Sequence, residues 1–130
     1  MKLRGKGIVK GKAEGTALVS RKPLSFLGGV DPETGIITDV ESDIRGESVA
    51  GKILVFPRGK GSTVGSYVLY ALAKNGKAPK AIIVEEAETI VTVGAIIAGI
   101  PLVAGIDVSK LRSGMRLRVD GESGEVEVVD

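Results

Sequence analysis

The chain has 130 residues, with 18 Lys or Arg against 16 Asp or Glu and no Cys, His or Trp, a size that suits one domain with a single apolar core. Without thiols or imidazoles it has no cysteine nucleophile, no disulfide, no histidine base and no Cys/His zinc site, so any iron–sulfur cluster must come from another chain. The net charge of +2 is spread along the sequence and only 3% of residues are aromatic, so no nucleic-acid partner is expected.

The opening MKLRGKGIVKGKAEG is basic but lacks the apolar run of a signal peptide. Residues 2–10 and 15–20 read as two short strands joined across 11–15. Residues 22–38 carry turn signals at Gly28-Gly29 and Asp31-Pro32 and read as loop; 44–51 is a second turn-rich connection. Residues 52–56 are nearly all apolar, as in a strand covered on both faces. Residues 62–75 place Val64, Val68, Leu69 and Leu72 on one side of a helix that Asn75-Gly76 ends.

Residues 81–84 read as the next buried strand, 89–98 as a small-residue helix closed by Gly99, and 101–104 as a third buried strand. The apolar run at 95–103 is broken by Gly99 and Pro101 and is too short to cross a membrane, so a soluble cytoplasmic protein is expected. The tail, 114–129, alternates as a hairpin turning at 120–124. The order predicts one α/β domain over 1–130: a mixed sheet with a parallel core, β-rich flanks and two main helices. Ligands in such sheets sit beyond the carboxyl ends of the strands, here just after Phe56.

The loop there is Arg58-Gly-Lys-Gly-Ser-Thr63, and three readings of it are open. A nucleotide phosphate loop needs Gly, four residues, then Gly-Lys-Ser/Thr; Lys60 is followed by Gly61, which argues against it. The plain structural reading has glycines forming the turn, Ser62 capping the helix and the cations in solvent. The third makes Ser62 a group that binds or deprotonates a ligand at a helix N-terminus.

Elsewhere, Asp31 reads as a turn residue before Pro32, and Glu85, Glu86 and Glu88 as a solvated helix start rather than an acid/base or Mg²⁺ site. Gly28-Gly29 suits either a tight turn or close approach to a ligand or partner. Thr89, Thr92, Gly94, Ala95, Ala98 and Gly99 suit either an interface or packing of a helix on the sheet. Tyr67 and Tyr70 read as rim and core.

Four motifs, taken together and in order, resemble the small subunit of the aconitase X family: Gly15-Thr-Ala-Leu-Val-Ser20, Ser25-Phe-Leu-Gly-Gly-Val-Asp31 with Gly35, Arg58-Gly-Lys-Gly-Ser-Thr63, and Gly94-Ala-Ile-Ile-Ala-Gly-Ile-Pro101. The resemblance implies a swivelling β/β/α domain like the one that ends ordinary aconitases. There a Gly-x-Gly-Ser-Ser-Arg loop supplies a serine base, and Gly59-Lys-Gly-Ser-Thr-Val64 lines up with it. By that match Ser62 is the proton acceptor and Thr63 replaces the second serine, while Val64 stands where aconitases have a substrate-binding Arg.

The family further implies dehydration of (R)-5-phosphomevalonate, a phosphorylated hydroxy acid, in archaeal isoprenoid synthesis. Its large subunit would hold a [4Fe–4S] cluster, and this chain would bind no cofactor and be inactive alone. Arg58, Lys60, Gly61 and Thr63 are the expected substrate-binding residues, with Arg58 and Lys60 as the anion contacts. Hydroxyproline-type aconitase X dehydratases offer another substrate class. A non-catalytic anion-binding or partner module is the alternative to an enzyme subunit.

Overall fold

The computed structural model describes residues 1–129. In chain order the elements are β1 (Lys2–Arg4), β2 (Lys6–Val9), β3 (Lys12–Val19), β4 (Leu24–Ser25), β5 (Ile53–Phe56), β6 (Gly59–Lys60), α1 (Gly65–Lys74), β7 (Ala81–Val84), α2 (Thr89–Ala98), β8 (Leu102–Ala104), β9 (Arg116–Asp120) and β10 (Glu125–Val128). Eight strands form one sheet in the order β1-β10-β9-β3-β5-β7-β8-β2, and β4 pairs with β6 apart from it.

The sheet is parallel where its residues are apolar without interruption. β3, β5, β7 and β8 run parallel, and every residue of β5, β7 and β8 is buried. Strands covered on both faces have no reason to alternate. The antiparallel flank does alternate: Leu117, Val119 and Val126 are fully buried, whereas Arg116 and Arg118 face solvent. The predicted parallel core, β-rich flanks and two helices are all present.

The opening segment departs from the single strand predicted over 2–10. It breaks at Gly5, whose Cα lies against the Ala104 carbonyl with no room for a side chain. Gly5 N–H donates to Gly124 O at 2.8 Å. β1 then pairs with β10 and β2 with β8, at opposite ends of the sheet. The two halves of one segment cover both edges, and the sheet curls on itself.

Curling also divides the expected single core. One apolar cluster, with Val19, Val55, Ile83, Leu117, Val119 and Val126, lies between the parallel and antiparallel parts. The other, with Phe26, Phe56, Leu69, Leu72, Val91 and Ala95, lies under the helices. Phe26 and Phe56 meet edge to face, with centroids 5.9 Å apart. The small residues of α2 serve helix–helix contact: a side chain at Gly94 would collide with Leu69 of α1.

Candidate active site

β5 delivers the chain, fully buried, to the carboxyl edge of the parallel sheet. The following loop is pinned by the β4–β6 pair, with Leu24 opposite Gly59 and Ser25 opposite Lys60. Leu24 N–H also donates to Arg58 O at 3.0 Å. Gly59 is buried because the Glu88 carboxylate and Val91 press on its Cα. Arg58, Lys60, Gly61, Ser62 and Thr63 are exposed. Gly61 has φ +91°, and a side chain there would come within 2.9 Å of Ser25 Oγ. A glycine makes that turn without strain.

Ser62 does not cap the helix in the manner expected. α1 begins three residues later, at Gly65. Ser62 Oγ instead accepts from Val64 N–H at 3.2 Å, a local turn that serine readily forms. Ser62 O accepts from Gly65 N–H at 2.9 Å, and Thr63 O accepts from Ser66 N–H at 3.3 Å. The chain thus winds tightly before the helix proper. Among the described residues, the N–H groups of Ser62 and Thr63 donate to no protein group. Both lie at the positive end of α1, where unpaired amides favour an anion.

The loop therefore brings all five predicted site residues to one place. It adds one that sequence reasoning did not single out, Ser25. Only its membership of the Ser25-Phe-Leu-Gly-Gly motif hinted at a role, because a two-residue strand has no periodicity to detect. Lys60 lines a cavity of about 260 Å³ with Ser25, Leu27, Gly28, Gly29 and Asp39. On its other side it borders a wider concavity with Lys22, Asp39 and Asp43. Among the described residues, neither Arg58 nor Lys60 forms an ion pair.

The other candidates hold the fold together. Glu88 caps α2, its two oxygens accepting from Ile90 and Val91 N–H at 2.8 Å each. Glu85 Oε2 accepts from Val108 N–H at 3.2 Å. Asp31 Oδ1 accepts from Glu33 N–H at 2.9 Å, a turn as predicted. Tyr67 and Tyr70 are both exposed, so neither is core. Among the described residues no group of His, Cys, Asp or Glu is placed to hold a metal, and no helix is long and apolar enough to cross a membrane.

A second concavity, of about 380 Å³, lies far along the sheet and is lined by Lys12, Glu14, Arg118, Asp120, Glu125 and Glu127. Its charges are matched to one another: Glu14 bonds Arg116 at 3.0 Å and Arg118 at 3.2 Å. Those hydrogen bonds, Arg116's first, hold the Glu14 carboxyl below the ordinary glutamate range. Charges paired in this way are held by one another rather than directed at a ligand.

A family model described as the aconitase X swivel domain matches residues 2–128. The chain is 79% identical over 129 residues to the phosphomevalonate dehydratase small subunit of Pyrococcus furiosus, covering 99% of this chain and 96% of that one. It is 55% identical over 130 residues to the protein of the same name from Methanocaldococcus jannaschii, covering 100% of this chain and 99% of that one. The crystal structure of Thermococcus kodakaraensis aconitase X in its holo form matches with a TM-score of 0.99 at 75% identity, covering 100% of this chain and 99% of that chain.

Proposed function

Since the chain belongs to the aconitase X swivel-domain family, we propose that it is the small subunit of a two-chain hydro-lyase that dehydrates (R)-5-phosphomevalonate, with Ser62 as proton acceptor. The whole chain, 1–130, acts as one swivel domain in the cytoplasm. The observation that carries this reading is the setting of Ser62: exposed, on the turn between β5 and α1, beside two unpaired amides. The names of the relatives supply the substrate.

Ser62 takes a proton from the carbon beside the substrate's carboxylate. The C–H electron pair becomes the new C=C bond, the C–O bond to the tertiary hydroxyl breaks, and hydroxide leaves to become water on gaining a proton. The product is trans-anhydromevalonate 5-phosphate, on the mevalonate route to isoprenoids. Arg58, Lys60, Gly61 and Thr63 bind the substrate's anionic groups.

Serine is a weak acid, so its alkoxide has to be favoured. Its hydroxyl, like water, stays protonated at neutral pH unless its surroundings stabilise the anion. One well-aimed donor is worth about 3–4 kcal/mol. The loop amides, the helix end and one cation supply two or three such contributions. Full stabilisation also requires water to be excluded, and Ser62 lies open to solvent in the isolated chain. The chain alone is therefore expected to be inactive.

The large subunit supplies the cover. α2 carries no charged residue in ten, and Val93, Ile96 and Ile97 point outward, although an all-apolar helix is normally covered. Exposed Val64, just before the adjoining α1, and exposed Tyr67 on it carry this face up to Ser62. We assign the face and the loop to the large subunit. A [4Fe–4S] cluster is held by thiolates, and this chain has none. The cluster accordingly belongs to the large subunit, and no residue here ligates it.

The test is dehydration of (R)-5-phosphomevalonate by the chain co-purified anaerobically with its large subunit, wild type beside Ser62→Ala. Turnover in the wild type and its loss in an intact variant complex is the expected result. Undiminished dehydration by Ser62→Ala would overturn the assignment of the base. Failure to form a complex would overturn the subunit reading.

A further inference from the structure

The cavity of about 260 Å³ beside the Ser62 loop is walled by Ser25, Leu27, Gly28, Gly29, Asp39 and Lys60. We propose that it seats the substrate's phosphate, held by the Lys60 ammonium, the Ser25 hydroxyl and the Gly28 amide. This rests on the function proposed above and deepens it: Ser62 meets the carboxylate end, and the β4–β6 pair meets the phosphate end.

Four observations carry it. Lys60 makes no ion pair among the described residues, so its charge is free for a ligand. Ser25 Oγ spends its proton on a long 3.3 Å bond to Leu27 O, which it gives up readily for a phosphate oxygen. Gly28 N–H has no partner among the described residues. A side chain at Gly28 would meet nothing within 4 Å, and its φ of +79° is one that glycine adopts freely. Bare backbone of this kind lets amides approach a phosphate closely. Finally, Gly61 keeps the passage open, since any side chain there would press on Ser25 Oγ.

Lys60 and Ser62 flank one turn at Gly61, so a single small substrate can reach both. From the carbon that loses its proton to the phosphorus there are five bonds, about 6 Å at bond lengths near 1.5 Å. A substrate lying along the loop therefore presents its proton to Ser62 as its phosphate reaches Lys60. Asp39 lines the same cavity. Its Oδ1 accepts from Glu41 N–H at 2.9 Å, and its charge is unmatched by any ion pair among the described residues. That charge opposes an anion beside it, so removing it should tighten phosphate binding.

The experiment uses the reconstituted two-chain enzyme and compares (R)-5-phosphomevalonate with unphosphorylated (R)-mevalonate. For the phosphorylated substrate, Lys60→Gln should raise KM about 10- to 100-fold, the range of a lost charge-assisted bond. Ser25→Ala should raise it a few-fold, and Asp39→Asn, which keeps the Oδ1 acceptor, should lower it. For mevalonate, added as a competing ligand, Lys60→Gln and Ser25→Ala should raise the inhibition constant far less than they raise KM for the phosphorylated substrate. Equal effects on both compounds, or an unchanged KM in Lys60→Gln, would overturn the subsite and the Lys60 contact while leaving the dehydratase reading and the role of Ser62 standing. A wild-type complex that leaves phosphomevalonate untouched would remove both.

Discussion

The two ends of the sheet treat charge in opposite ways. On the antiparallel flank, Lys2, Arg4, Lys12, Arg116 and Arg118 are matched to Glu14, Asp120, Glu125 and Glu127 by six ion pairs across β1, β10, β9 and β3. Beyond the parallel half, Arg58 and Lys60 stand on an exposed loop, with no matched acid among the described residues. The contrast teaches that the flank spends its charges on itself, whereas the loop beyond β5 keeps its cations for a ligand. It also explains why the concavity lined by Lys12, Glu14 and Arg118 is a poor candidate for chemistry. Each pair there is exposed, and exposed pairs add little stability individually.

The contrast breaks most sharply at Ser62. Ser62→Ala should lower turnover of the assembled enzyme by about 10²- to 10⁴-fold, the usual worth of a positioned proton acceptor. Its cost in stability should stay under about 1 kcal/mol, because the hydroxyl makes only one turn bond at a solvent-exposed position. Steady-state kinetics beside urea denaturation of the same variant separates the two effects. If stability falls as far as activity, Ser62 is scaffold after all.

Packing on the parallel side gives a middle-sized effect. Gly94→Val forces a side chain into Leu69, and overpacking of this kind costs about 1–3 kcal/mol. Urea denaturation of the isolated chain should show it. A neutral result would mean that α1 and α2 separate more readily than their contact suggests.

On the flank, Glu14→Gln should leave turnover unchanged and shift the denaturation midpoint only slightly. Acid should act on the same residues. Arg116 and Arg118 hold Glu14 below its ordinary range. Hydrogen bonds from Ser109 lower Asp107, and the Glu122 and Ser123 amides lower Asp120. Each carboxyl titrates lower folded than unfolded. Its stabilising contribution is therefore complete above about pH 4–4.5 and is lost as pH falls through the folded value. Denaturation midpoints at pH 7 and pH 3 should differ in that direction, and Glu14→Gln should narrow the difference.

Much of this was readable from the residues. β7 and α2 have the predicted limits, because a continuous apolar run and a glycine-closed small-residue helix are strong local signals. The tail hairpin is present, with Glu125 opposite Asp120. The parallel core follows from the lack of alternation in residues 53–56 and 81–84. What could not be read depended on distant contacts. β4 and β6 are two residues each and exist only because they meet. The start of α1 shifted from 62 to 65 because Ser62 bonds within its own turn. β3 begins at Lys12, within a stretch that looked like a connection, because β9 pairs with it along its whole first half. For the site, residue chemistry indicated the loop at 58–63, and the resemblance assigned roles on it. Ser25 and Asp39 enter only through tertiary structure.

The break at Gly5 also has a consequence for the order in which the chain matures. β2 waits for residues 102–104 and β1 for residues 125–127, so strands made early in this domain find their places only after its later ones exist. Until then the edges at β8 and β10 are bare, and bare edges invite other chains. Contacts between residues so far apart in sequence form slowly. The segment 2–9 is thus a clasp that can snap shut only on a nearly finished molecule.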